Sequence, residues 1–248
     1  LVGAGVMHEG YWNNTLGLSG WPSAGEEMIV ARNILLAEKT GTHVHCQHMT
    51  SAGSVRLIRE AKSRGLPISG EACPHHFTLT DSAIAGSAKF WPEDGKGVFS
   101  AGDGGQPAWP EYDTNFKMNP PLRAIKDRDA ILAGLADGSI DAIATDHAPH
   151  HVDEKSIEFD RAPFGIVGLE TAVSLALDRL VHRQVVSLSR FVELMSLNPS
   201  KILRVPGGTL TPGSAADMTV LALEENVEIS AEKFRSKARN TPFNGWKL

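Results

Sequence analysis

Cysteine is scarce in this 248-residue chain: Cys46 and Cys73 are the only two, far apart and in no C-x-x-C pattern. That excludes a disulfide framework and fits a reducing compartment, so the expected location is the cytoplasm. Long apolar runs are missing as well, and none approaches the roughly 20 residues of a membrane span. No excess of positive charge exists. The formal net charge is −5 with acids and bases interspersed, which gives neither a nucleic-acid footprint nor a polybasic membrane patch. The opening "LVGAGVMHEG" has no basic stretch, does not read as a signal peptide, and lacks an initiator Met. The closing "TPFNGWKL" stops just after a turn, and the expectation is a portion of a longer protein, cut at both ends. Repeats and low-complexity tracts are absent too. What is present is ordinary globular composition, 42% hydrophobic and 21% charged, enough for one large domain or two small ones.

Hydrophobic patterning divides the chain into alternating elements. "AGEEMIVARNILLAEKTG" has acids in its first turn, apolar Met28, Ile29, Leu35 and Leu36, and a stop at Gly41, which predicts an amphipathic helix. "THVHCQHM" follows as a strand. "TSAGSVRLIREAKSRG" predicts a second helix, with Val55, Ile58 and Ala61 on one face, Thr50 or Ser51 as cap and Gly65 as stop. "LPISGEAC" and "IDAIATD" are strand-like, with a helix around "DRDAILAGLADG" between them; "LETAVSLALDRLVH" and "SLSRFVELMSL" are further helices. Strands alternating with helices predict a parallel α/β fold, a barrel or an open sheet. Two stretches break the rhythm. Residues Phe90 to Asn115, rich in Gly, Pro and aromatics, predict a long loop, and loops of that length are usually functional or disordered. Residues Gly207 to Leu223 read as turn, strand, Pro-Gly turn, strand, a small β unit after the α/β repeat.

In parallel α/β folds, functional groups gather where strands end. His48 closes "HVHCQH". Strand alternation places it on the face of Val44 and Cys46, opposite His43 and His45, and aims its imidazole at the strand mouth as a metal ligand would be aimed. A His43–His45 metal pair is a competing reading, and a plain polar surface a third. In "FKMNPPLR", Pro120 and Pro121 stiffen the backbone and could hold Lys117 and Asn119 at a set angle, the Asn amide suiting an amide or imide ligand. The alternative is a turn before a helix with Arg123 on its surface. In "DAIATDHAPHH", Asp146 ends a strand, where a carboxylate can ligate a metal and move protons, and His147, Pro149 and His150 follow. A helix N-cap aspartate with incidental histidines is the alternative. His75 and His76 of "ACPHHF" could ligate, orient or merely pack.

In order, "VHCQHMTSAGSVRLIREAK", "EACPHHFTLTD", "FKMNPPLR", "DAIATDHAPHHVDEK", "APFGIVGLET" and "SKARNTPFNGW" resemble the bacterial class I dihydroorotases of the amidohydrolase superfamily. "PHHF" with "NPPLR" favours that group over allantoinases and hydantoinases. The resemblance implies a (β/α)8 TIM barrel with a small β-sandwich built from both chain ends. This chain would supply strands six to eight of the barrel within residues 1–205, including the loop 90–115, and part of the sandwich within 206–248. It implies reversible hydrolysis of (S)-dihydroorotate to N-carbamoyl-L-aspartate in de novo pyrimidine synthesis. Two zinc ions with a bridging hydroxide serve that reaction in the family. By position, His48 matches the zinc histidine of strand six and Asp146 the catalytic, zinc-binding aspartate of strand eight. Asn119 matches the asparagine on the substrate ring, His150 the histidine on the substrate carboxylate, and Phe164 with Gly165 the pair whose backbone contacts substrate. His147 and His151 are expected to be structural. Within this resemblance His45 matches a common histidine with no ligand role, and His43 has none.

The family's H-x-H pair, bridging ligand and strand-five histidine have no counterpart in this sequence, and His8 is not expected to replace the last. The chain alone is therefore expected to be inactive. The expected partner is a small molecule, with a homodimer or an association with aspartate carbamoyltransferase as further expectations, and no nucleic acid or membrane. Two alternatives stand beside this reading: a catalytically dead scaffold for aspartate carbamoyltransferase, and another cyclic amidohydrolase such as an allantoinase or hydantoinase.

Overall fold

The structure is a computed structural model and describes residues 3–94 and 107–248. A short parallel pair, β1 (Met7–His8) and β2 (Gly20–Trp21), brackets helix α1 (Tyr11–Leu16). The main unit then runs α2 (Ser23–Thr40), β3 (Val44–Cys46), α3 (Ala52–Ser63), β4 (Ile68–Ala72), α4 (Pro74–Thr78), α5 (Ser87–Asp94), α6 (Ile125–Asp137) and β5 (Ala142–Ile143). Strands β3, β4 and β5 form one parallel sheet in sequence order, with His45 opposite Ser69 and Glu71 opposite Ala142. This is the predicted alternation, and it is a portion of a barrel wall.

The helices end where the sequence says. Ser51 caps α3, its hydroxyl accepting from Ser54 N–H at 3.0 Å. Gly41 and Gly138 take the left-handed conformation that closes α2 and α6. Val55, Ile58 and Ala61 are buried as predicted, in a core with Ile68, Ile131, Ile140 and Leu180. Helix α2 differs from expectation. Gly25, Val30, Ile34 and Ala37 face the sheet, whereas Met28, Ile29, Leu35 and Leu36 are exposed. The helix is apolar over more than one face, so composition alone did not say which stripe meets β3.

Helices α7 (Val152–Lys155), α8 (Ala172–Ala176), α9 (Leu188–Val192) and α10 (Asn198–Leu203) complete the set, α8 and α9 each running on into a wider π turn. A second core joins Leu79, Phe90, Phe116, Met118, Ile166, Phe243 and Trp246. Residues 95–106 of the expected loop lie outside the described residues. Its start is helical rather than irregular: Phe90 and Trp91 belong to α5, where they pack with Trp109 and Trp246 at centroid distances of 5.3–5.5 Å. Tertiary aromatic contact there outweighs the weak local pattern and Pro92. Residues 207–223 carry no strand. Leu210 and Val220 are 84% and 95% exposed, because extended segments without neighbouring strands build no ladder. The described β contact of this region is the antiparallel bridge Glu228–Lys247.

Asp81 begins the 3-10 turn after α4. It is buried, and its Oδ1 has no hydrogen-bond partner. Burial, then the nearby Glu93, pushes its carboxyl up to about 7. The folded value lies above the unfolded one, so between about pH 4 and 7 the folded state holds the extra proton and stability falls as pH rises. Asp81→Asn is therefore expected to stabilise the protein at pH 8.5 by about 1–3 kcal/mol and to change little at pH 4. Denaturant titrations at the two pH values check this; equal effects at both would refute it.

Candidate metal and substrate site

The C-terminal ends of β3, β4 and β5 converge on a cluster of ionisable groups. His48 lies two residues beyond β3 and Asp146 three beyond β5, and both have left-handed backbones, at φ 57° and 45°. Non-glycine residues rarely adopt that conformation, and where they do it often marks a functional turn. It also corrects the face read from alternation. The turn at His48 takes its side chain off the Val44–Cys46 face and onto the side of His45. Both imidazoles then meet one carboxylate, Glu71 of β4: His45 Nε2 is 3.0 Å from Oε2, and His48 Nδ1 is 3.0 Å from Oε1.

His48 Nε2 faces Asp146 Oδ1 at 3.7 Å. That is too long for a good hydrogen bond and close to the ~3.3–3.5 Å that separates N and O ligands across a tetrahedral zinc. The electrostatics suit a cation. The Glu71 carboxylate, as acceptor, raises the His48 imidazole's pKa, burial opposes it, and Asp146 adds to it. Burial would push the Glu71 carboxyl up, but hydrogen bonds from His45 and His48 overcome this and hold it near 2. Cys73 lies beside His48, Sγ to Nδ1 3.5 Å, and its thiol is pushed well up by burial, then by Asp146 and Glu71.

Cys73, His75 and His76 also cluster, their ligand atoms within 4.8 Å of one another. All three are buried. His76 donates Nε2–H to the Pro120 carbonyl at 2.9 Å, and burial lowers its pKa to about 3 and that of His75 well below the usual range. The described residues thus offer His48 with Asp146 at the strand mouth and, joined to it by the Cys73–His48 contact, the Cys73–His75–His76 group. His8 is held otherwise: burial, then Arg123, whose Nη1 is 3.3 Å from His8 Nδ1, lowers its pKa to about 4.

The other candidate residues sit on three loops tied to this end. His76 holds the 117–123 segment through Pro120, which follows a cis Asn119–Pro120 bond. Gly165 N–H donates to the Lys117 carbonyl at 2.9 Å, Ala148 N–H to Ile166 O at 2.8 Å, and His150 Nε2–H to the Phe164 carbonyl at 2.8 Å. His150, Phe164 and Gly165 are therefore in one assembly, and His150 keeps Nδ1 on its other side, 3.5 Å from Glu154. His147 accepts from Gly168 N–H and His151 caps α7, both structural roles. Asp146 caps no helix.

Two residues that sequence reasoning left without a role, Asn240 and Lys155, build this assembly, and a third, Arg123, ties the neighbouring β1–β2 and Thr50 region. Asn240 donates to the Ala148 and Gly165 carbonyls and accepts from His150 N–H. Lys155, buried, donates to the Pro163 and Gly165 carbonyls; burial, then Lys117, brings its ammonium down to about 8. Arg123 is 3% exposed rather than on the surface, bonded to Thr50 and the Trp21 carbonyl. "SKARNTPFNGW" already contained Asn240, but its partners lie 75 or more residues away.

Residues 13–247 match the amidohydrolase family, and the chain belongs to that family. Along its whole length it is similar to dihydroorotases. That of Pelotomaculum thermopropionicum is 49% identical over 245 residues, 99% of this chain and 52% of the relative. That of Geobacter sp. strain M21 is 48% identical over 248 residues, with 100% and 52% covered. The chain thus spans about half the length of these relatives. Among solved structures, the L-hydantoinase (dihydropyrimidinase) of Arthrobacter aurescens superposes with a TM-score of 0.77 at 27% identity, over 92% of this chain and 46% of that one. The dihydropyrimidinase of Brevibacillus agri, at 24% identity and 0.72, shares the fold. The barrel class expected from sequence is the observed one. No helix among the described residues is long and apolar enough to cross a membrane.

Proposed function

We propose that the whole protein containing this chain is a zinc-dependent dihydroorotase, interconverting (S)-dihydroorotate and N-carbamoyl-L-aspartate in de novo pyrimidine synthesis. The observation that carries this reading is the pairing of His48 Nε2 and Asp146 Oδ1 at 3.7 Å on two left-handed turns, at the mouths of the strands that flank β4. These two residues would hold the metal. A bound zinc supplies a polarised carbonyl and a water of lowered pKa. Asp146, partly open to solvent, takes a proton from the attacking water and delivers it to the departing ring nitrogen. Asn119 reads the ring amide, His150 grips the substrate carboxylate, and the Phe164–Gly165 backbone lines the same pocket.

Identity of 48–49% to dihydroorotases over the full chain, against 22–27% to hydantoinase structures, supports this substrate over a hydantoin. The retained acid, imidazoles and loop clamps have no use in a dead scaffold. The reading includes a cytoplasmic location, in keeping with two unpaired buried thiols, and assigns 1–205 to the barrel and 206–248 to an accessory β unit. The bare Leu210, Met218 and Val220 support that division as positions wanting a sheet partner. Neither a homodimer nor an aspartate carbamoyltransferase complex is part of the proposal.

The test is turnover of the whole protein on dihydroorotate, hydantoin and allantoin, with metal content by mass spectrometry. Dihydroorotate is expected to be preferred, with bound zinc, and residues 1–248 alone are expected to be inactive. Preference for hydantoin or allantoin would overturn the substrate. Metal-free protein without turnover would favour the scaffold.

A further inference from the structure

We infer that Glu71 is the positioning residue that prepares His48 to bind metal, with His45, Ser69 and His43 aligned behind it as its support. The inference rests on the proposed metal site and adds to it a role for four residues that the reaction itself does not use.

Glu71 is the penultimate residue of β4, between β3 and β5, and is 8% exposed. A buried carboxylate needs partners for both oxygens. Here each oxygen has one imidazole, at 3.0 Å. Behind His45 the chain continues: His45 Nδ1 lies 2.7 Å from Ser69 Oγ, and Ser69 Oγ lies 3.0 Å from His43 Nε2.

One direction of donation along this row keeps the imidazoles neutral and Glu71 ionised. His43 Nε2–H donates to Ser69 Oγ, Ser69 O–H to His45 Nδ1, and His45 Nε2–H to Glu71 Oε2. From the other side His48 Nδ1 lies 3.0 Å from Glu71 Oε1 as an ion-pair contact and 3.5 Å from Cys73 Sγ, and a hydrogen on Nδ1 faces both acceptors. No atom is asked to donate and accept the same proton. The consequence falls on His48. With Nδ1 carrying the hydrogen, the lone pair is on Nε2, the atom that faces Asp146. Metal-binding histidines are held in this way by a carboxylate on the second nitrogen, which sets the tautomer, orients the ring and strengthens the ligand.

Burial of an ion pair for stability alone would not require this arrangement, since such pairs add little net stability. The arrangement also explains the left-handed turn at His48. An extended backbone would send that side chain to the Val44–Cys46 face, away from Glu71. His45 is the second anchor: it occupies Oε2 and stops the carboxylate rotating away from His48.

The test uses the whole protein and three measurements. In metal-free protein labelled with 15N and held at pH 8.5, long-range 1H–15N correlation spectra are expected to show His48 as a single Nδ1–H tautomer, and a mixture in Glu71→Gln. Zinc titration against a chelating dye is expected to show affinity about 10–100-fold lower in Glu71→Gln, and about tenfold lower in His45→Ala. Circular dichroism confirms that each variant is folded, and His45→Ala carries the test if Glu71→Gln is not. Wild-type zinc affinity and an unchanged His48 tautomer in a folded variant would overturn the inference while leaving the metal site standing. If His48→Ala and Asp146→Asn retain wild-type zinc binding, the metal site itself is wrong, and the tautomer result still reports on Glu71.

Discussion

Asp146→Asn is expected to lower dihydroorotate turnover by the whole protein about 10³-fold or more, with loss of metal from the His48 side of the site. The substitution removes two things together. An amide does not carry the negative charge a metal ligand supplies, and it does not take up a proton from water or return one to a leaving nitrogen. It leaves the backbone undisturbed, because Asn tolerates the left-handed conformation at φ 45° as well as Asp does. Unchanged thermal unfolding alongside the lost rate would separate chemistry from folding. A kcat within tenfold of the parent, with full metal content, would remove Asp146 from the catalytic role.

Gly165→Ala is expected to destabilise the protein by about 2–4 kcal/mol and to raise KM for the substrate. Gly165 has φ 116°, a region closed to residues with a side chain, and a Cβ added there would lie 2.5 Å from the Ala148 Cβ. The clash pushes on the loop that carries His150, whose ring is held by the Phe164 carbonyl next door. Thermal unfolding is expected to fall by roughly 5–15 °C for a protein of this size. Ala148→Gly in the same chain relieves the collision but not the backbone strain, so it should restore part of the loss. A melting temperature within 2 °C of the parent would show that the loop gives way freely.

How much of this was legible in the sequence depends on the range over which each signal acts. Caps, glycine stops and the 3.6-residue pattern are local, and α3 and α6 follow them closely. His48 and Asp146 were legible as residue types at strand ends. Their partnership was not, because the left-handed turn that takes His48 off the face of Val44 and Cys46 has no mark in the sequence. Glu71 carries no mark within its own strand, since its meaning comes from His45 on β3 and His48 on the turn after it. Asn240, Lys155 and Arg123 act through backbone carbonyls that sequence does not mark. The strands expected over 207–223 failed for the opposite reason. Their pattern is real, but a strand exists only when another lies beside it.

The spacing of the three strands also orders events in time. β3 and β4 pair after a single helical connection, Val44 meeting Ile68, whereas Glu71 meets Ala142 across a connection roughly three times as long, a difference of about 1 kcal/mol in closure entropy. The β3–α3–β4 unit is thus the expected nucleus, and it contains His45, His48, Ser69 and Glu71, with His43 just ahead of it. The imidazoles are then expected to gather around their carboxylate before β5 arrives with Asp146: substitutions in α3 are expected to slow refolding and those in β5 chiefly to hasten unfolding, which stopped-flow refolding of the whole protein checks.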